Sequence, residues 1–222
     1  MTYRVKLLVV LVCALAILFI GDTVRSALDT ISRLDVVEAE RDRWQRPSDV
    51  VQAMGLRPGD VVVDLGCGSG YFTWKLSSSV GEGGRVIAED IRSLPLGFLW
   101  VRTVLRRERN VTIVHGEPDD PHLPARANAV LVANTYHEFT DSRSVLVHVR
   151  QALVPGGKLA VVDRKPNSTD VGSPDNSSHE ISADHVEEEL RQANFEIVRR
   201  QDDFIEKDPD NETWWLLVAR KP

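Results

Sequence analysis

The junction at residues 61–79 limits the fold more than any other part of the chain. Val61-Val62-Val63-Asp64-Leu65 is a short, continuous, β-branched run of the kind that becomes a strand buried on both faces of a parallel sheet. Gly66-Cys67-Gly68-Ser69-Gly70 breaks it, and Tyr71 to Ser79 resumes as a helix. Glycines at alternate positions let the backbone approach a ligand closely, and they aim amide groups and the positive helix end at anionic or polar atoms.

The same alternation continues downstream. Gly81-Glu82-Gly83-Gly84 turns into a second strand, Arg85 to Glu89, ending at Asp90; Val111 to His115 reads as a third and Ala129 to Ala133 as a fourth. A helix from about Ser142 to Leu153 stops at Pro155-Gly156-Gly157, before a fifth strand, Lys158 to Val162. After a polar loop, Arg164 to Ser178, come a helix capped by Ser182, a strand from Phe195 to Arg199 and a last strand, Trp214 to Ala219. Strand and helix alternating in this way imply a right-handed, doubly wound α/β sheet.

The glycine loop is not that of a nicotinamide enzyme, whose G-x-G-x-x-G pattern would place glycine where Tyr71 stands. Asp64 puts a carboxylate under the loop, where it would repel a pyrophosphate but hold an ammonium. Asp90, at the carboxyl end of the next strand, suits both hydroxyls of a ribose. Adenosine joined to an amino acid describes S-adenosylmethionine.

The stretches VVVDLGCGSGYFT, RVIAEDI, GEPDDPHLP, AVLVANTYHEF and VRQALVPGGKLAVVD, in this order and spacing, resemble the class I S-adenosylmethionine-dependent methyltransferases from about Trp44 to the C-terminus. The resemblance implies a Rossmann-like, mostly parallel seven-stranded sheet whose last strand runs antiparallel. Carried over by position, Asp64, Gly66, Cys67, Gly68 and Gly70 cradle the methionyl part, Asp90 the ribose and Glu117 or Asp119 the adenine amino group. Asn134 borders the methionine end. Two positions depart from the family. Pro118 lacks the N–H with which the family often meets adenine, so that donor must shift to Asp119 or be absent. Asn128 stands where an aspartate usually starts the fourth strand, and reads as surface variation.

Methyl transfer needs alignment, and a base only when the nucleophile arrives protonated. His137 is the candidate base, with Glu138 to orient it; the competing reading is a histidine that merely caps or bonds the next helix. No second histidine at helical spacing makes this a metal site. Cys67 reads as a packing residue rather than a nucleophile. His179 and His185 belong to a lid or to a solvated loop, and Trp44 and Gln45 to a cofactor cover or to plain packing.

At the N-terminus, Arg4 and Lys6 precede Leu7 to Ile20, which carries no charge. Its fourteen residues reach ~21 Å of a ~30 Å hydrocarbon core, short for a span. With no small-x-small cleavage site after Ile20, residues 1–21 read as an uncleaved membrane anchor in preference to a cleaved signal. Val24, Leu28, Ile31, Leu34 and Val37 make 22–46 an amphipathic helical linker, leaving 47–222 as the methyltransferase domain. Of the chain's formal charge of −6, residues 1–46 contribute +1 and the domain −7, and an acidic domain argues against a nucleic-acid partner. Leu94 to Val101, edged by Arg92, Arg102, Arg106, Arg107 and Arg109, either covers a sheet face or touches lipid headgroups. The acceptor is therefore expected to be a small-molecule or lipid-like compound. The domain is expected to face the cytoplasm, where a charged cofactor is made and kept, although the charge bias of the flanks leans weakly the other way. A membrane-tethered module that binds the cofactor without chemistry, and a dehydrogenase, are the alternatives.

Overall fold

The computed structural model describes residues 3–166 and 180–222, and the chain divides into two compact units, Met1–Arg41 and Asp42–Pro222. His179 and most of the loop after Arg164 lie outside the described residues.

Helix α1 runs unbroken from Tyr3 to Trp44. It continues through Gly21, since one glycine in a helix interior costs only about 1 kcal/mol. Among the described residues no helix is long and apolar enough to cross a membrane, so the expected transmembrane anchor is not supported there. Arg4 and Lys6 on one side and Asp22 and Arg25 on the other bound a charge-free run shorter than the ~20 residues a span usually needs.

In the second unit the order is α2 (Pro47–Met54), β1 (Val61–Leu65), α3 (Tyr71–Val80), β2 (Arg85–Asp90), α4 (Ser93–Arg106), β3 (Val111–His115) and β4 (Ala127–Ala133). A short 3-10 turn (Tyr136–Glu138), α5 (Ser142–Ala152), β5 (Leu153–Arg164), α6 (Ala183–Gln192), β6 (Glu196–Ile205) and β7 (Trp214–Arg220) follow. The strands form one seven-stranded sheet in the order β3-β2-β1-β4-β5-β7-β6. All neighbours are parallel except β7, which runs antiparallel to both β5 and β6.

The continuous apolar strands are explained by burial on both faces. Val62, Leu131 and Val162 pack with α2 and α3, while Val63, Val130 and Val161 pack with α5 and α6. Strand order reverses between β1 and β4, so their carboxyl ends open a crevice at the topological switch point.

Three local features were not legible in the sequence. Helix α2 starts at Pro47 after a left-handed Arg46 and buries Val50 and Met54. Strand β5 begins at Leu153, ahead of the expected Lys158, because the Pro155-Gly156-Gly157 segment joins it through a register shift opposite Ala127 and Ala129. Within that shift the half-buried Asn128 accepts the Val61 N–H at 2.9 Å. It clips the entry of β1 to β4, which corrects its reading as surface variation. Ser182 caps α6 as expected, accepting the His185 N–H at 3.2 Å.

Trp215 is 1% exposed, and its Nε1–H donates to the Ile181 carbonyl at 2.8 Å, tying β7 to the segment before α6. Trp215→Ala is expected to cost about 3–5 kcal/mol. Urea unfolding should show this as a lower midpoint at unchanged slope.

Candidate functional site

The glycine loop after β1 is held from two sides. The Gly66 and Cys67 N–H groups both donate to the Glu89 carbonyl at the end of β2, at 2.9 and 2.8 Å. From α4 the fully buried Arg102 donates through Nη1 to the Ser69 carbonyl at 2.7 Å and lies 5.2 Å from the Trp74 ring centroid. Gly66 is left-handed (φ 75°), and a Cβ there would overlap the Thr135 side chain at the exit of β4. Gly68 is also left-handed (φ 54°), but a Cβ built on it meets nothing within 4 Å. The loop thus turns bare backbone toward open space while its neighbours are packed.

Asp90 is buried at the end of β2. Its Oδ2 accepts the Gly68 N–H at 2.9 Å, and its Oδ1 accepts the Arg92 N–H at 2.8 Å and Nε at 3.2 Å. Asp64, buried beneath the loop, accepts from Thr73 Oγ1 at 2.6 Å. A cleft opens between the ends of β1, β2 and β4, and Gly66, Glu89, Asp90, Glu117 and Glu138 are among the residues that line it.

The remaining expected residues lie as follows. Asp119 is exposed and does not line the cleft. Asn134 is left-handed (φ 56°), donates its N–H to the Val162 carbonyl at 2.7 Å and accepts Arg164 Nε at 3.1 Å, so it turns toward β5. His137 is buried, with Nδ1 2.8 Å from Asp163 Oδ1, and its backbone N–H donates to Asp163 Oδ2 at 3.2 Å. The carboxylate that orients the ring is therefore Asp163, whereas Glu138 Oε1 lies 3.9 Å from Nε2. Trp44 stacks at 5.8 Å on Trp214, and Gln45 is fully buried. His185 sits on α6 beside Glu189, at 3.6 Å. Burial pushes the Cys67 thiol far above its usual range, which removes it as a nucleophile.

Sequence reasoning missed Asp163, Arg102 and Glu89. The signal for Asp163 was an acid at the end of an apolar strand adjacent to β4; for Glu89 it was a second acid inside the strand Arg85–Asp90. Burial, reinforced by Asp90 and Asp64 and opposed by a hydrogen bond from the Gly66 backbone, pushes the Glu89 carboxyl up to about 8.

A family model described as the ubiE/COQ5 methyltransferase family matches residues 20–171. The ubiquinone/menaquinone biosynthesis C-methyltransferase UbiE of Shewanella sp. (strain ANA-3) is 32% identical over 125 residues, 54% of this chain and 48% of that protein. A 37.1 kDa protein in transposon TN4556 of Streptomyces fradiae is 28% identical over 166 residues, 73% of this chain and 47% of that one. The chain thus spans about half the length of these relatives. The crystal structure of a SAM dependent methyltransferase from Aquifex aeolicus superposes with a TM-score of 0.69 at 25% identity, covering 79% of this chain and 89% of that one.

Glu89 takes up its proton more readily folded than unfolded. Its contribution to stability is complete below about pH 4.5 and is lost as pH rises through about 8. Glu89→Gln removes this dependence. The unfolding free energy of the variant relative to the parent should therefore rise by up to about 1.4 kcal/mol per pH unit across that window. Urea titrations across the window check it, and a constant difference would show the carboxyl to be ionised throughout.

Proposed function

The chain belongs to the ubiE/COQ5 methyltransferase family, and on that premise we propose that it binds S-adenosylmethionine in the cleft at the ends of β1, β2 and β4 and methylates a small, lipophilic acceptor. The observation that carries this reading is the joining of the loop to the carboxylate: the Gly68 N–H donates to Asp90, and nothing packs against the outer side of Gly68. The residues present fit the cofactor. Gly66 to Gly70 offer close backbone approach for the methionyl part, with Asp64 supplying negative charge beneath it. Asp90 stands at the strand end as the acceptor for ribose hydroxyls, in place of part of its present contact with Arg92. Glu117 lines the cleft and takes the adenine amino group, which leaves Asp119 without that role. Asn134 borders the methionine end from the exit of β4.

The bound cofactor supplies a methyl group on a sulfonium, transferred by in-line displacement. The protein's task is then alignment and proton removal. His137 and Glu138 handle the proton: Asp163 fixes the ring through Nδ1, and Nε2 faces Glu138, which reaches the cleft. The Shewanella relative is named for ubiquinone and menaquinone biosynthesis. By that likeness the acceptor class is an aromatic or quinone-type ring carrying an apolar tail, methylated at carbon.

An apolar tail calls for a lipid surface, and α4 offers one. Leu96 and Leu99 cover the sheet, while Leu94, Trp100, Val104 and Leu105 are more than half exposed on the opposite side. Ser93–Arg106 contains no acidic residue, and Arg106, Arg107 and Arg109 end it. This surface suits peripheral contact with anionic headgroups rather than a span. The domain is placed on the cytoplasmic side because the charged cofactor is found there and does not cross a bilayer unaided.

Titration calorimetry of the full chain with S-adenosylmethionine should show binding that Asp64→Ala weakens severely and Asp90→Ala moderately. Saturable NADH binding in its place would sink the reading. Incubation with methyl-labelled cofactor and a membrane extract should label a lipid-soluble product; binding without any labelled product would make the protein a cofactor-binding module instead. In a separate sedimentation assay, vesicles containing phosphatidylglycerol should carry the protein down and lose it in high salt. Trp100→Ala with Leu105→Ala should abolish that pull-down, and equal binding by the double variant would remove α4 as the contact.

A further inference from the structure

Glu89 is 2% exposed, lines the cleft, and its Oε1 has no hydrogen-bond partner among the described residues. The side chain lies under the turn that follows β3: a Cβ on Gly116 would overlap Glu89 Oε1, so the carboxyl fills the space a side chain there would take. Two residues of that turn, Glu117 and Pro118, line the cleft. Neither has a backbone N–H to offer a ligand, since that of Glu117 donates to the Asp120 carbonyl at 2.8 Å and Pro118 has none. A cofactor adenine beside Glu117 thus meets an acceptor for its amino group but no amide for its ring nitrogen.

We propose that Glu89 is a specificity-determining residue for the cofactor, its neutral carboxylic acid donating the hydrogen bond to the adenine ring nitrogen that the turn after β3 does not provide. The inference rests on the reading of the cleft as the S-adenosylmethionine site. The surroundings favour the neutral form. Asp64 from β1, Asp90 on the same strand, Glu117 after β3 and Glu138 after β4 are acidic, Cys67 of the loop is a buried thiol, and Arg92 at the start of α4 is committed to Asp90. The Gly66 backbone hydrogen bond, which favours ionisation, is outweighed by burial. A protonated acid can donate where an ionised one only accepts.

Binding of S-adenosylhomocysteine by the full-length protein, measured by calorimetry, tests this without reference to turnover. Between about pH 7 and pH 9 the parent should lose roughly tenfold in affinity beyond any loss shown by Glu89→Gln, whose amide donates at every pH. Glu89→Leu should bind at least about tenfold more weakly than the parent at neutral pH, because the ring nitrogen is left unpaired. Parallel pH profiles for the parent and Glu89→Gln would overturn the proposal, as would undiminished binding by Glu89→Leu. Asp90→Ala serves as the reference. If it weakens binding and the Glu89 variants do not, only the role of Glu89 falls. If the parent does not bind S-adenosylhomocysteine at all, the cofactor reading falls and this inference with it.

Discussion

Two backbone amides converging on one carbonyl, Gly66 and Cys67 N–H on Glu89 O, are the contact on which the rest of the site depends. They fasten the glycine loop to the end of β2, and the next amide along, Gly68 N–H, then falls on the Asp90 carboxylate. The loop cannot be moved relative to the Asp90 carboxylate without breaking three hydrogen bonds at once. The contact exists because β1 and β2 pair in register, Leu65 opposite Glu89, so that one chain is turning away where the other still offers a carbonyl. Thr135 closes the opposite side against Gly66, where a side chain would have no room. Sheet register therefore sets the site geometry, and the glycines allow the backbone to follow it.

What could be read from the sequence is what local chemistry dictates. The run Val61–Leu65, the glycines and the helix after Tyr71 were legible because β-branching, positive φ and periodicity each act over a few residues. Gly66, Asp90, Glu117 and Glu138 line one crevice because they sit at or just past strand ends, and a parallel sheet gathers strand ends together. Asp163, Arg102 and Asn128 were illegible for the converse reason. Asp163 reaches His137 because β5 lies beside β4, Arg102 reaches Ser69 across the space between α4 and the loop, and Asn128 meets Val61 through a register shift. Each depends on a long-range neighbour that no local pattern specifies. The N-terminal segment differs: its apolar run was visible, but α1 continues through Gly21, and among the described residues no helix is long and apolar enough to cross a membrane.

Three carboxyl groups, Asp64, Glu89 and Asp90, are buried within two adjacent strand ends. Burial of like charges at such spacing is unfavourable unless some are neutralised. The structure relieves this in three ways: Thr73 bonds Asp64, Arg92 pairs with Asp90, and burial raises the Glu89 carboxyl to about 8. A ligand carrying an ammonium and a sulfonium relieves the same repulsion from outside. Such an acidic setting suits a positively charged ligand better than a pyrophosphate, in keeping with the absence of the G-x-G-x-x-G pattern.

Helix α4 links this electrostatic site to the outer surface, because its two ends have different duties. At its start Ile91 and Arg92 border the cleft, and Arg92 answers Asp90. Along its length Leu96, Leu99 and Arg102 face inward and hold the sheet and the loop. The outward residues Leu94, Trp100, Val104 and Leu105 are then free of any structural task in the domain. A helix needs only one apolar stripe to pack on a sheet. A second stripe on the solvent side, carried without an acidic residue and ended by arginines, is a cost in solubility that packing does not require. A headgroup surface is an environment in which that composition becomes favourable.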